Sequence, residues 1–161
     1  MTKKDNKKQK IKGDVGIKVN IIATVRDAVT GKIKRVYKHK NLVATAGRTC
    51  IAERLANDTT HTGVINYGAL GTSTTAPANS DTKLGTEVFR KAPSSNTNTA
   101  NVANISFFYT AGDTNGTYKE FGTFINGSAG ANTGELFSHV AVDWTKSSSE
   151  TLTVDCSYIV S

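Results

Sequence analysis

Residues 151–160 read Thr-Leu-Thr-Val-Asp-Cys-Ser-Tyr-Ile-Val. Leu152, Val154, Cys156, Tyr158 and Val160 alternate with Thr151, Thr153, Asp155 and Ser157. Side chains of a strand alternate between its two faces, so this pattern buries one face and wets the other. That is the signature of an antiparallel sheet packed on one side only. The same period opens the apolar part of the chain. Over residues 15–25, Ile17, Val19, Ile21, Ala23 and Val25 share one face, and Lys18, Asn20 and Thr24 share the other. The segment 27–32, Asp-Ala-Val-Thr-Gly-Lys, reads as a turn in which Gly31 supplies a positive φ. Residues 33–43 return as a second strand, so the two predict a hairpin. Lys34, Arg35, Lys38, His39 and Lys40 on that strand mark a solvated or edge position.

Further strands are expected over 64–70, 87–91, 102–111, 117–125 and 136–144. Ile105, Phe107 and Tyr109 alternate in one of them, and Leu136, Val140, Val142 and Trp144 share a face in another. The segment 112–116, ending Asn115-Gly116, predicts a hairpin that pairs 102–111 with 117–125. Residues 45–56 (TAGRTCIAERLA) predict the one helix, with Thr45 as N-cap and Gly47, Ile51, Ala52 and Leu55 facing the protein. Loops of small polar residues are expected at 71–80 around Pro77, at 93–101, and at 126–134, the last long and flexible. Seven or eight strands at hairpin spacing plus one short helix predict an all-β fold, an antiparallel β-sandwich spanning 14–161, with the helix covering one open end or edge.

Charge divides the chain differently. Lys3, Lys4, Lys7, Lys8, Lys10 and Lys12 against Asp5 put +5 of the formal +7 into the first twelve of 161 residues. The remainder is close to neutral, which argues against a nucleic-acid-binding body. Residues 1–13 read instead as a disordered or extended basic arm. Such an arm suits non-specific contact with phosphates or with an acidic protein surface. No aromatic residue interleaves with the lysines to stack bases. Lys18, Asn20 and Thr24 interrupt the apolar stretch that follows, so neither a signal peptide nor membrane insertion is expected. Synthesis in a reducing cytoplasm then makes Cys50 and Cys156 buried free thiols rather than a disulfide.

Catalytic signatures are not found in the sequence. His39, His61 and His139 fall in three separate elements without Cys or carboxylate neighbours at metal-ligand spacing. The glycines of 127–134 lack the strand–loop–helix order of a phosphate site. The expectation is no enzyme, no metal and no cofactor. Exposure and flexibility nominate interaction residues instead: the six arm lysines, then Thr72, Thr74, Thr75, Pro77 and Asn79 on one loop and Asn126 and Asn132 on the other.

Three segments together resemble a known kind of protein. They are VRDAVTGKIKRVYKHKNLVATAGRTCI over 25–51, YGALGTSTTAPANSDTKLGTEVFR over 67–90, and EFGTF over 120–124 followed by LFSHVAV over 136–142 and the Thr-rich final strand. In this order they resemble small structural proteins of tailed-bacteriophage virions, with ALGTSTTAPANSDT over 69–82 the most specific piece. The resemblance implies a virion component of the tail, the baseplate or a fibre-attachment site. It implies other virion proteins as partners and a homo-oligomer, a trimer or ring, assembled through arm and loops. A capsid decoration or head-fibre protein is the alternative within the same class. A host-receptor or carbohydrate-binding module is the alternative outside it, and exposed rings at Tyr67, Tyr109, Tyr118 or Trp144 would favour that one.

Overall fold

A computed structural model describes residues 16–161, so the lysine arm lies outside the described residues. Nine strands and one helix follow in the order β1 (Ile17–Asp27), β2 (Ile33–Val43), α1 (Thr45–Leu55), β3 (Ile65–Gly71), β4 (Glu87–Lys91), β5 (Ser95–Thr99), β6 (Val102–Tyr109), β7 (Gly116–Ile125), β8 (Glu135–Lys146) and β9 (Glu150–Val160). All pairings are antiparallel and run β4-β3-β7-β8-β2-β1-β9-β6-β5. The ribbon curls into two facing layers. One is β4-β3-β7-β8 and the other β2-β1-β9-β6-β5. They join only where Leu42 and Val43, at the end of β2, pair with His139 and Ser138 of β8. The expected all-β sandwich with one short helix is the fold.

The β1–β2 hairpin forms as the sequence predicts, with Asp27 Oδ1 accepting from the N–H groups of Val29 and Thr30 and Gly31 at φ 71°. Over residues 33–41, β2 pairs only with β1, so its lysines line an open edge. β9 pairs with β1 along its whole length and with β6 over residues 152–159. Its alternation fits that position, with Leu152, Val154, Cys156 and Tyr158 in the core.

Three expectations need correction. Residues 102–111 and 117–125 do not pair: β6 lies between β9 and β5, and β7 between β3 and β8. The Asn115-Gly116 segment carries the chain from one layer to the other. The core decides this, because Phe107 of β6 and Phe121 of β7 pack edge to face across the sandwich at 5.9 Å between ring centres. Second, the polar stretch 93–101 contains β5, every residue of it exposed, held on β6 by backbone bonds alone. Its lack of apolar residues hid it. Third, Thr45 is the first helical residue rather than the cap. The N-cap is Ala44, which makes no side-chain cap bond, and the Thr45 N–H donates to the Asn79 carbonyl at 2.8 Å. The helix buries Gly47 and Cys50, while Leu55 is 87% exposed. Gly47 is required there because a Cβ would stand 2.4 Å from the Phe137 carbonyl oxygen of β8.

The core is stitched between layers by Phe137–Tyr158 and Phe107–Phe121 ring contacts and by the Tyr109 hydroxyl donating to the Gly68 carbonyl at 3.0 Å. The hydroxyls of Thr123, Ser138 and Tyr158 close a buried triangle with sides of 2.7, 2.8 and 3.1 Å. Each polar group there has a partner, so its burial is tolerated. Tyr109, Tyr118 and Trp144 are fully buried core residues, and Tyr67 is half-buried beneath Arg90. The three buried rings are not free to stack on a sugar. Cys50 and Cys156 are both buried and free.

Candidate functional site

The second face of the β3–β7–β8 layer is covered as well, by the chain between β3 and β4. A small second core forms there from Ala44, Ala69, Leu84, Phe124 and Leu136, with Tyr67 beside it. Gly122 makes the close approach possible, since a Cβ would stand 2.8 Å from Leu84 Cδ2 and 3.0 Å from Leu136 Cδ1. Around this patch two charged side chains fasten the two loops nominated from the sequence.

Glu120 of β7, only 1% exposed, fastens the first. Its Oε1 accepts from the N–H groups of Thr86 at 2.7 Å and Ser73 at 3.2 Å, and its Oε2 from Gly85 N–H at 2.9 Å. His139 Nε2 stands 3.1 Å from the same Oε2, and His139 Nδ1 stands 2.8 Å from Asp81 Oδ2. His139 thus links Asp81 on the loop to Glu120 on the sheet through its two ring nitrogens. Burial raises the Asp81 carboxyl, but the Ala78 N–H and the His139 ring outweigh it and hold it below the usual range. A cavity of about 290 Å³ sits over this chain, between the loop and the sheet.

Arg90 of β4, 8% exposed, fastens the second loop. Its guanidinium is gripped by Glu87 through Nε at 2.5 Å and Nη2 at 2.8 Å. Nη1 donates to the carbonyls of Ser128 at 3.1 Å and Thr133 at 2.9 Å. The same group lies 4.5 Å from the ring centre of Phe124 and 5.4 Å from that of Tyr67. Glu87 also accepts from the Asn132 N–H at 2.9 Å. The loop expected to be flexible is therefore tied at several points along its length.

The nominated residues fall on the outer rims of these fastened loops. Thr72, Thr74, Thr75 and Asn79 are exposed and Pro77 is half-buried. Asn126 and Asn132 are exposed, each at φ 55°, a left-handed conformation that Asn tolerates better than most residues. Asn126 is an anchor too: its Oδ1 accepts from Thr62 N–H at 3.0 Å and Thr62 hydroxyl at 2.8 Å. Lys3, Lys4, Lys7, Lys8, Lys10 and Lys12 lie outside the described residues. Sequence reasoning missed Glu120, His139, Asp81, Glu87 and Arg90. A charged residue inside an apolar strand, as Glu120 stands in Glu-Phe-Gly-Thr-Phe, was the available signal.

A third feature lies at the end of the sandwich where β1 begins. Two shallow apolar grooves of about 560 and 860 Å³ flank Ile17, Ile51 and Val160. The chain enters the fold beside them, at Gly16. Among the described residues no helix is long and apolar enough to cross a membrane. No family model, curated protein or solved structure matches this chain.

Proposed function

We propose that the protein is a structural component of a tailed-bacteriophage virion, a tail, baseplate or fibre-attachment part that assembles through its N-terminal arm and its two fastened loops. The observation that carries this reading is how the loops are built. Their rims expose Thr, Ser and Asn, while Glu120 and Arg90 hold them from beneath with buried, fully engaged charges. Such loops present fixed polar surfaces, the construction of a docking site rather than of a mobile lid. Grooves opening beside Ile17 place an apolar surface next to the point where the basic arm joins. A repeated part of a symmetric particle needs fixed surfaces of this kind on a rigid body. The resemblance over residues 25–51, 67–90, 120–124 and 136–142 supplies the particle.

The test compares full-length protein with a chain starting at Gly13, by light scattering at low and high salt. A trimer or ring that dissociates without the arm is the expected result, together with the chain's presence in purified particles by mass spectrometry. Unfolding of the shortened chain would refute the division at residue 13. A monomer in both chains that is also absent from particles would refute the assembly role.

A further inference from the structure

Helix α1 places Cys50 and Glu53 one turn apart, hence on one face. The chain then reverses. Asn57 at φ 59° ends the helix, the Asp58 N–H donates to the Glu53 carbonyl at 2.8 Å, and Asp58 Oδ1 accepts from the Thr60 N–H at 2.9 Å and the Thr60 hydroxyl at 2.7 Å. This compact turn folds His61 back onto the helix, where Nδ1 stands 2.5 Å from Glu53 Oε2. From the first residue of β8, Glu135 Oε1 reaches within 3.8 Å of His61 Nε2. The Cys50 sulfur, a Glu53 oxygen and a His61 nitrogen all lie within 4.8 Å of one another.

We propose that Cys50, Glu53 and His61 form a site for a divalent transition-metal ion of the zinc class, with water in the fourth position and Glu135 as the outer partner of the second ring nitrogen of His61. The donor set is the first reason. One sulfur, one imidazole nitrogen and one carboxylate oxygen are the ligands a borderline-soft ion selects over calcium or magnesium. The second is spacing. A tetrahedral ion with bonds of about 2.0–2.3 Å needs its ligands about 3.3–3.8 Å apart, so side-chain rotation closes the present spread. Third is setting: the Glu53 and Glu135 carboxylates lie at opposite nitrogens of the His61 ring, beside the buried Cys50. As the ion binds, the Cys50 thiol proton and any proton on the coordinating imidazole nitrogen leave to solvent. Cys50 is 1% exposed and Glu53 and His61 are half-buried, so the ion would sit at a protected rim with one open side. Its effect would be to staple the 56–64 segment and the start of β8 to the helix.

The test is a cobalt(II) titration of the reduced full-length protein, followed by absorption. One equivalent should produce a thiolate-to-cobalt charge-transfer band and visible ligand-field bands, both displaced by zinc. Cys50→Ser should abolish the charge-transfer band, and Cys156→Ser should leave it. Cys50 is in the core, so His61→Gln, at a half-buried loop position, gives an independent reading. It should weaken binding by at least the roughly tenfold that losing an outer hydrogen-bond partner of a ligand costs. Absence of a charge-transfer band at stoichiometric cobalt, its persistence in Cys50→Ser, or unchanged affinity in His61→Gln would each overturn the assignment.

Discussion

Replacing Glu120 by Gln removes one acceptor from a buried carboxylate that takes three backbone N–H bonds and faces His139. In the better of its two orientations, the amide oxygen keeps Ser73 and Thr86. Its NH₂ then faces His139 Nε2, whose lone pair can accept, and the Gly85 N–H, which cannot. One buried donor is left without a partner, at about 1–3 kcal/mol, and a charge-assisted contact becomes a neutral one. The expected loss is about 2–3 kcal/mol, or a fall in Tm of about 4–12 °C for a chain of this size. Glu120→Ala leaves all three N–H groups and His139 unmatched and should cost about 3–5 kcal/mol. Urea titration with an unchanged m value reads the loss, and limited proteolysis should cut first within residues 72–86. A Glu120→Gln protein within about 0.5 kcal/mol of the parent, the range of an ordinary surface change, would refute the claim that this carboxylate holds the loop.

Gly47→Ala sets the higher helix propensity of Ala against a Cβ placed 2.4 Å from a backbone oxygen of β8. The clash should win by about 1–3 kcal/mol, read as a lower urea midpoint. Glu150 is pushed down to about 2 from an ordinary 4.5, chiefly by Arg35 and against the effect of burial, with the Ser147 N–H assisting. Its stabilisation is complete above 4.5 and is lost as pH falls toward about 2, so Glu150→Gln should flatten that part of the acid-unfolding curve. Burial holds His39 below its ordinary 6.5, and its Nε2 accepts from the indole N–H of Trp144 at 3.0 Å. That bond is present above 6.5 and is lost as the ring protonates below it, so the fluorescence of this single Trp should titrate there and stop doing so in His39→Leu.

Most of the strands were legible because their period is local. β9 and β1 carry alternation, broken in β1 only by Ile22, which is 42% exposed, and proved to be neighbours in one layer. Partners across the sandwich were not legible. Asn115-Gly116 has the chemistry of a hairpin, yet the large rings on either side of it needed opposite walls of one core. The helix face was misread for a similar reason. Leu55 looks like an anchor by hydropathy, but what packs on β8 is Gly47, whose virtue is to have no side chain. The two fasteners escaped because their members are scattered: Glu120, His139 and Asp81 are joined by folding, as are Arg90, Glu87 and Thr133. The spacing of Cys50 and Glu53 on one helix could have been read; the return of His61 depended on a turn at Asn57 that hydropathy does not register.

Gly16 and Ser161 exchange backbone hydrogen bonds of 2.7 and 2.9 Å, and β1 and β9 run antiparallel from that point. The chain therefore enters and leaves the fold at one corner. Tension applied between these two positions would load the β1–β9 ladder one rung at a time, as a zipper is opened, instead of shearing all its bonds together. A part tethered by both of these points would peel at low force, whereas one gripped by a single end and by its loops would bear load across the whole sandwich.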